Sequence, residues 1–235
     1  MRQRVEFEPA WLLVRRPYRE SSLLLEAFSR SHGRVGLVAR GARGPRSKLR
    51  GVLQLFTPLL LSWSEAGELG TLTAAEAAGA AVPLAGERVF HGWYLNELLL
   101  RLTERHDAHP GLYRDYAAAL ARLPGADGEA ALRIFEKRLL AETGYALPLP
   151  ERLEPDRRYR FDLERGASPA GAADPDSYAA ATLLGLRDER LETREALREA
   201  RKLLRAALRR QLGGRELETP RLLRQLRART PNPDD

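Results

Sequence analysis

The residues best suited to binding chemistry form one basic run between positions 30 and 50, which contains no acidic residue. An unbalanced run of this kind creates an electrostatic potential that attracts polyanions. Guanidinium groups can grip phosphate oxygens in a fork, and the glycines between Gly41 and Gly51 let the backbone approach a ligand closely. We therefore expect nucleic acid to bind here mainly through its phosphates. The alternative is an ordinary solvated surface, on which acidic residues from elsewhere in the chain pair with the bases of the run. The bases of the run are Arg30, Arg34, Arg40, Arg43, Arg46, Lys48 and Arg50.

The charge of the whole chain is uneven, which favours the same interpretation. Its 235 residues carry 39 Lys plus Arg against 32 Asp plus Glu, a formal net charge of +7. The net charge is +5 over residues 1–80, −4 over residues 81–192 and +6 over residues 193–235. Because 43% of the residues are hydrophobic, the chain has enough apolar side chains for a packed core, and a wholly disordered protein is excluded.

Residue types that catalysis or metal binding needs are scarce. With no cysteine, the chain can form no disulfide, no thiolate metal site and no thiol nucleophile. His106 and His109 precede Pro110 at a helix end and do not share a helical face, which favours a solvated loop over a metal site. No glycine-rich loop precedes a Lys-Ser or Lys-Thr pair, so the sequence shows no P-loop for a nucleotide phosphate. Gly41-Ala42-Arg43-Gly44 matches the Gly-x-x-Gly loop of KH domains, but it follows a predicted strand and lacks the flanking helices that this loop needs. We therefore expect no enzymatic activity, no metal and no cofactor.

The elements that would position the basic run are predicted to be β-strands. Apolar runs separated by turns indicate five short strands in the first 80 residues. They are expected over Trp11–Val14, Ser22–Phe28, Gly33–Arg40, Val52–Trp63 and Glu68–Ala74. This count fits a five-stranded barrel of the oligonucleotide-binding type (OB-fold), although a sandwich has a similar pattern. On such a barrel the second and third strands and the adjoining loops bind oligonucleotides.

From Val82 onward the apolar spacing becomes helical. Helices are expected over residues 89–102, 110–123, 127–143, 177–186, 193–212 and 219–229. The first is expected to bury one stripe made of Val89, Phe90, Trp93, Tyr94, Leu98, Leu99 and Leu102. Residues 148–176 are rich in proline and are expected to form a small insert, with a β-hairpin at Tyr159–Leu163 and a mobile loop.

The predicted fold class is therefore α+β, with three parts. Residues 1–80 form an OB-fold domain that binds nucleic acid, and residues 81–147 with 177–230 form a helical bundle. Residues 148–176 form the insert between the two helical segments. Within the bundle, the arginine-rich helix 193–212 has two open interpretations: a packed helix with a solvated basic face, or a second nucleic-acid surface.

Four blocks of this sequence resemble the bacterial RecO family. They are Leu37–Arg43, Phe56–Leu61, Tyr94–Leu99 and Leu212–Gly214. The blocks occur in the family's order, and the resemblance extends from about Trp11 to Gln225, closest to cysteine-free proteobacterial members. It implies an N-terminal OB-fold barrel, a helical bundle and an insert. Many members hold a four-cysteine zinc site in the insert, and zinc is not carried over to a chain without cysteine.

The resemblance also implies a function. Similar proteins are recombination mediators in DNA repair: they bind single- and double-stranded DNA and anneal complementary single strands. With RecR, they help to load RecA onto DNA coated by single-strand-binding protein, and they hydrolyse no nucleotide. The DNA-binding residues implied for this chain are Arg34, Arg40, Arg43, Arg46, Lys48 and Arg50.

A partner site is implied as well. In similar proteins the acidic C-terminal tail of single-strand-binding protein docks on the helical domain. That tail ends in a Phe carboxylate, which needs a cation beside an apolar pocket. Ala131–Glu136 matches that region, which makes Arg133 the expected cation. Leu98, Leu102 and Leu139 are the expected apolar wall, although each also suits an ordinary core.

The expected location is the cytoplasm, in association with the nucleoid and without a membrane partner. The longest apolar stretch, Leu53–Leu61, is too short and too interrupted to span a bilayer. Two other functions stay open. One is a protein-interaction adaptor that recognises acidic tails, and the other is an OB-fold protein that binds structured RNA.

Overall fold

A computed structural model describes residues 4–65, 67–171 and 174–229 of the chain. The strands are β1 (Arg4–Tyr18), β2 (Ser22–Ser29), β3 (Gly33–Ala39), β4 (Leu59–Ser64), β5 (Gly70–Ala77), β6 (Arg158–Asp162), β7 (Gly166–Pro169) and β8 (Ser177–Ala179). The helices are α1 (Leu49–Val52), α2 (Arg88–Leu102), α3 (Pro110–Arg122), α4 (Gly128–Glu142), α5 (Ala180–Asp188), α6 (Arg194–Gln211) and α7 (Glu218–Arg229). The chain divides into two compact units. The first runs to Pro124 and resumes at Leu217, and the second covers Gly125–Glu216.

The first five strands close into a barrel in the order β1-β2-β3-β5-β4, with β1 also paired to β4. All neighbours are antiparallel except β3 and β5, which are parallel. Alternation along β3 buries Val35, Leu37 and Ala39 in the barrel core, as the sequence predicts. The predicted class, a five-stranded OB-type barrel followed by helices, is confirmed.

The fourth strand is shorter than the sequence predicts. The prediction of a strand over Val52–Trp63 is wrong for the first half of that range. Leu49–Val52 is a helical turn, and β4 begins only at Leu59, after Pro58. The intervening apolar residues turn instead of extending, since Phe56 has a φ of +59° and is almost buried. An apolar run of this length satisfies a strand pattern and a buried turn equally well.

Helices α2 and α3 pack against the barrel within the first unit. Asn96 of α2 donates from Nδ2 to the carbonyl of Leu13 at 2.9 Å and accepts from the Tyr116 hydroxyl of α3 at 2.5 Å. The Tyr116 ring meets the edges of Trp11 and Phe28, with centroid separations of 5.8 and 6.2 Å. These contacts group α2 and α3 with the barrel in one compact unit. The domain boundary at residue 80 stays a prediction.

The buried face of α2 differs from the predicted stripe. Trp93 is 39% exposed, and the fully buried positions include Leu95, Asn96 and Leu98. Polar residues occupy the buried face because each has a defined partner. Glu97, for example, accepts from the backbone N–H groups of Glu218 and Thr219 at 2.7 and 2.9 Å, and so caps α7. A hydrophobic pattern alone does not anticipate a buried carboxylate of this kind.

The second unit combines α4, α5 and α6 with a three-stranded sheet of order β7-β6-β8. The pair β6 and β7 forms an antiparallel hairpin in the segment where the sequence predicts one. The prediction of a helix that begins at Ser177 is wrong. Ser177–Ala179 forms strand β8, which pairs with β6, and the helix begins at Ala180. The predicted N-cap of α6 is confirmed: the Thr193 hydroxyl accepts from the Ala196 N–H at 3.1 Å.

Part of the predicted mobile loop, residues 172–173, and the last residue of the predicted bundle, residue 230, lie outside the described residues. Within the described ranges, no helix is both long and apolar enough to cross a bilayer.

Candidate nucleic-acid interface

The second half of the basic run folds as a loop against one end of the barrel. After β3, residues 40–50 (hereafter the basic loop) form two tight turns closed by backbone hydrogen bonds from Gly44 to Gly41 and from Ser47 to Gly44. Ala42 is 1% exposed and belongs to the barrel core, so it anchors the loop. The Arg43 N–H donates to the Ser21 carbonyl at 2.8 Å, which fixes the loop beside the β1–β2 turn.

The cations of the basic loop point to solvent. The side chains of Arg40, Arg43, Arg46, Lys48 and Arg50 all belong to exposed residues. None of them forms a salt bridge with a carboxylate in the described part of the chain. Their one side-chain hydrogen bond runs from the Arg43 guanidinium to the Arg19 carbonyl at 3.3 Å. Five positive charges are therefore available to an anionic ligand at one end of the barrel.

Two cations that the sequence analysis missed join this end of the barrel. Arg19 lies in the β1–β2 turn that the basic loop contacts, and its guanidinium carbon lies 5.2 Å from the Tyr18 ring centroid. Arg16 of β1 is paired with Leu24, which is in turn paired with Val38 of β3. These bases lie 21 and 24 residues before Arg40, the first residue of the basic loop, and the pairing of β1, β2 and β3 brings them to the same end of the barrel. We call the set the barrel-rim cluster: Arg16, Arg19, Arg40, Arg43, Arg46, Lys48 and Arg50.

Arg34 is not part of the barrel-rim cluster. It lies six residues before Arg40, about 20 Å along the strand at 3.3 Å per residue. Its guanidinium pairs with Glu26 at 2.9 Å and donates to the Thr103 carbonyl at 3.1 and 2.7 Å. Burial lowers the pKa of Arg34 below its usual value, and its side chain is only 13% exposed. These internal bonds already use all three nitrogens of the Arg34 side chain.

At the barrel rim, aromatic side chains contribute little surface for base stacking. Trp11, Phe28 and Phe56 are all less than 9% exposed and pack inside the first unit. Tyr18 is partly exposed beside Arg19. The geometry therefore favours neutralisation of phosphates over reading of bases.

The four residues predicted to hold an acidic tail divide between the two units. Leu98 of α2 is fully buried in the first unit and Leu102 is partly buried. Arg133 and Leu139 lie on α4 in the second unit, where Leu139 is fully buried. Arg133 is 5% exposed and pairs with Glu136 at 2.8 Å, while its Nε has no hydrogen-bond partner among the described residues. Tail binding by these residues stays a prediction.

No group of three or more His, Cys, Asp or Glu within the described ranges is arranged to hold a metal ion. His109 Nε2 lies 3.2 Å from Asp107 Oδ2 in the loop before α3.

Comparison with known proteins connects this architecture to a family. The model of the recombination protein O N-terminal domain matches residues 3–81, which hold the barrel. The model of the recombination protein O C-terminal domain matches residues 84–220. The junction between the two matches falls in the segment between β5 and α2.

Several relatives align with nearly the whole chain. A protein of Alkalilimnicola ehrlichii named DNA repair protein RecO is 49% identical over 97% of this chain and 94% of the relative. Proteins of the same name from Methylococcus capsulatus and Aromatoleum aromaticum are 46% and 42% identical, over 94% and 98% of their own lengths. Because family models match both parts of the chain and these relatives match almost end to end, the chain belongs to the RecO family.

Proposed function

We propose that this RecO-family protein is a recombination mediator in DNA repair: it binds DNA, anneals complementary single strands and, with RecR, helps to load RecA onto DNA coated by single-strand-binding protein. It acts by binding alone and makes or breaks no covalent bond. Its relatives are named DNA repair proteins, which supports the repair role. The observation that carries the DNA-binding part is the barrel-rim cluster, whose loop cations are exposed and without salt bridges in the described ranges.

Charge explains how such a surface promotes annealing. Two single strands repel each other through their phosphates, and this repulsion opposes their pairing. A basic surface that holds strands neutralises part of their charge and raises their local concentration. Because base-stacking side chains are scarce at the rim, the bases stay free to pair with a complementary strand.

Substitution of the basic loop tests the proposal. Arg40→Glu, Arg43→Glu and Arg46→Glu in one protein should abolish annealing of complementary labelled oligonucleotides, because each change replaces a phosphate contact with repulsion. All three side chains are exposed, and among them Arg43 alone forms a side-chain hydrogen bond within the described residues, to the Arg19 carbonyl. The variant should therefore fold normally, which circular dichroism would check. Normal annealing by the folded triple variant would contradict the proposal.

The matched control is a variant with the same change in net charge at positions outside the barrel rim. Arg88, Arg114 and Arg152 are exposed and lie outside the barrel. Their joint replacement by glutamate changes the net charge equally, so annealing should fall far less than in the loop variant. Equal losses in both proteins would mean that total charge, and not the rim, decides DNA binding.

We propose further that the acidic tail of single-strand-binding protein docks on the helical part through Arg133. Support comes from the unsatisfied Nε of this nearly buried guanidinium, which retains donor capacity for a carboxylate. A labelled acidic peptide ending in Phe should bind the protein, and Arg133→Gln should weaken that binding.

The same binding measurements separate the alternative functions. If the peptide binds while the protein does not bind DNA at physiological salt, the protein is an adaptor and not an annealing mediator. Preference for RNA over DNA of the same sequence would instead support a structured-RNA binder.

A further inference from the structure

The solvent face of α6 carries a second row of cations, far in sequence from the barrel rim. Six bases fall within about 100° of arc around the helix, given 100° per residue. Successive bases are three or four residues apart, except for the adjacent pair Arg201 and Lys202, and the row is about 22 Å long. All six are exposed, and they are Arg194, Arg198, Arg201, Lys202, Arg205 and Arg209 (hereafter the α6 stripe).

Acids do not neutralise most of this row. Among the described residues, Lys202 alone in the α6 stripe forms a salt bridge, with Asp176 at 2.9 Å. The two acids of α6 turn to the sheet instead: Glu195 lies 3.9 Å from Arg158, and Glu199 is buried against the same arginine at 2.5 Å. Five guanidinium groups on one helix face are therefore left without a carboxylate partner in the part of the chain that the structure describes.

Such a row is unfavourable for the helix itself. Like charges one turn apart repel each other and destabilise a helix. Packing alone does not require arginine at these positions, because the buried side of α6 is formed by Ala200, Leu203, Leu204 and Ala207. A bound polyanion would convert this repulsion into attraction.

A shallow groove at the C-terminal part of the stripe indicates what kind of polyanion fits. Its volume is about 520 Å³, and it is lined by Lys202, Arg205, Ala206, Arg209, Arg210 and Gly214. Lys202 and Arg210 are held at the groove by Asp176 and Glu164, whereas Arg205 and Arg209 have no salt bridge in the described ranges. The lining has no aromatic residue and only one small apolar side chain, so it offers no pocket for the aromatic end of an acidic peptide and no platform for a base.

From these observations we infer that the α6 stripe is a second binding site for single-stranded DNA, which holds one strand by its phosphates while the barrel rim holds another. A single row of cations repeating every turn matches one phosphate backbone rather than the two strands of a duplex. The inference rests on the proposed function, since annealing needs two strands. In this arrangement the barrel rim in the first unit binds one DNA strand, and the α6 stripe in the second unit binds the other.

The test compares three variants of the full chain and a fourth that combines the stripe and rim substitutions. The stripe variant is Arg198→Gln, Arg205→Gln and Arg209→Gln, and the rim variant is Arg40→Glu, Arg43→Glu and Arg46→Glu. The control variant replaces three exposed arginines outside both surfaces, Arg114, Arg152 and Arg190, by Gln. The probe is a fluorescein-labelled oligothymidine strand, followed by anisotropy across a salt series. Annealing of complementary strands is measured in parallel.

In the rim-variant background, the stripe substitutions should lower the residual affinity for oligothymidine about tenfold. They should also flatten the slope of log K against log salt by about 2, since each phosphate contact with a single strand contributes about 0.7. In the otherwise unchanged protein they should slow annealing about tenfold, whereas the control variant should match the unchanged protein. Thermal unfolding should show a stripe variant at least as stable as the unchanged protein, because repulsion along α6 is removed.

The outcomes separate the two proposals. If the stripe variant binds and anneals like the control while the rim variant does not anneal, the stripe inference is overturned and the proposed function stands. If the rim variant still anneals at the normal rate, the proposed function itself fails. If a polyglutamate peptide displaces oligothymidine from the rim variant at equal charge concentration, the stripe is an acidic-peptide site and the inference is again overturned.

Discussion

Glu26 shows at the scale of one residue how the barrel uses charge internally. This carboxylate is 9% exposed and accepts from Arg34 at 2.9 Å and from Arg105 at 3.1 and 2.6 Å. The hydrogen bond that Arg105 donates to Glu26 raises the pKa of the Arg105 guanidinium, whereas burial lowers the pKa of Arg34. The network joins β2, β3 and the loop after α2, so Arg34 has a structural role in the first unit.

Replacing Glu26 by Gln should lower the free energy of unfolding by about 2–3 kcal/mol, because removal of one partner leaves a nearly buried guanidinium uncompensated. Urea unfolding followed by circular dichroism measures the change. Glu76→Gln, at an exposed position of β5, is the control and should change stability by less than about 0.5 kcal/mol. A Glu26 variant as stable as this control would show that the network contributes little.

Tyr116 tests the junction between α3, α2 and the barrel. Its hydroxyl donates to Asn96, and burial raises the pKa of Tyr116 well above its usual value. Tyr116→Phe keeps the ring contacts and removes the donor, so we expect a loss of about 1–3 kcal/mol in unfolding free energy from an unsatisfied buried amide oxygen. Tyr145→Phe, at a half-exposed side chain, should be nearly neutral. Equal stability of the two variants would contradict the junction described above.

At this scale the sequence predicts where exposed cations lie but not which side chains pair with them. The acid-free spacing of Arg40, Arg43 and Arg46 correctly predicted an exposed basic loop. Arg34 belongs to the same run, yet a carboxylate eight residues earlier in sequence engages it. Arg19 reaches the rim only through the β1–β2 turn. Partners of this kind depend on strand register, which a single sequence does not specify.

At the scale of elements, Glu199 holds the second unit together. It accepts from Arg158 of β6 at 2.5 Å, from the Ala179 N–H at 2.9 Å and from the Thr182 hydroxyl of α5 at 2.6 Å. Burial raises the pKa of Glu199, but these hydrogen bonds outweigh burial, and the net pKa lies below the usual 4.5. The sheet, α5 and α6 therefore share one ionised carboxylate.

The sign of the pH dependence follows from that lowered pKa. A carboxyl with a lower pKa in the folded state stabilises the fold fully above its unfolded pKa, and the contribution is lost as the pH falls through the folded pKa. The difference in unfolding free energy between the unchanged protein and Glu199→Gln should thus be largest near neutral pH and shrink below about pH 4.5. Urea unfolding at several pH values measures it, with Glu192→Gln as the exposed control. A difference that does not change with pH would contradict the assignment.

Elements with strong periodicity were predicted well, and short ones were not. The bounds of α3 and α6 agree with the sequence pattern to within a residue or two. The pattern of Val52–Trp63 predicts a single strand because apolar residues continue through a buried turn. Ser177–Ala179 was assigned to helix because a three-residue edge strand has no periodicity of its own. The face of α2 was misplaced around Trp93, since partners on α3 and α7 decide which polar residues are buried.

At the scale of the whole molecule, the positive charge concentrates in separate places. The barrel-rim cluster lies in the first unit and the α6 stripe in the second. Between them in sequence, residues 81–192 carry more acids than bases. A protein that holds strands by their phosphates gains affinity from each such surface, and its binding weakens steeply as salt rises.

The most direct test of phosphate binding at the barrel rim is a salt titration of binding to labelled oligothymidine. The slope of log K against log salt should be steeper than about −3, since five loop cations at about 0.7 each contribute to it. Arg40→Gln, Arg43→Gln and Arg46→Gln together should flatten the slope by about 2. Binding that does not change with salt, or a folded protein that leaves the strand unbound even in dilute buffer, would contradict the account.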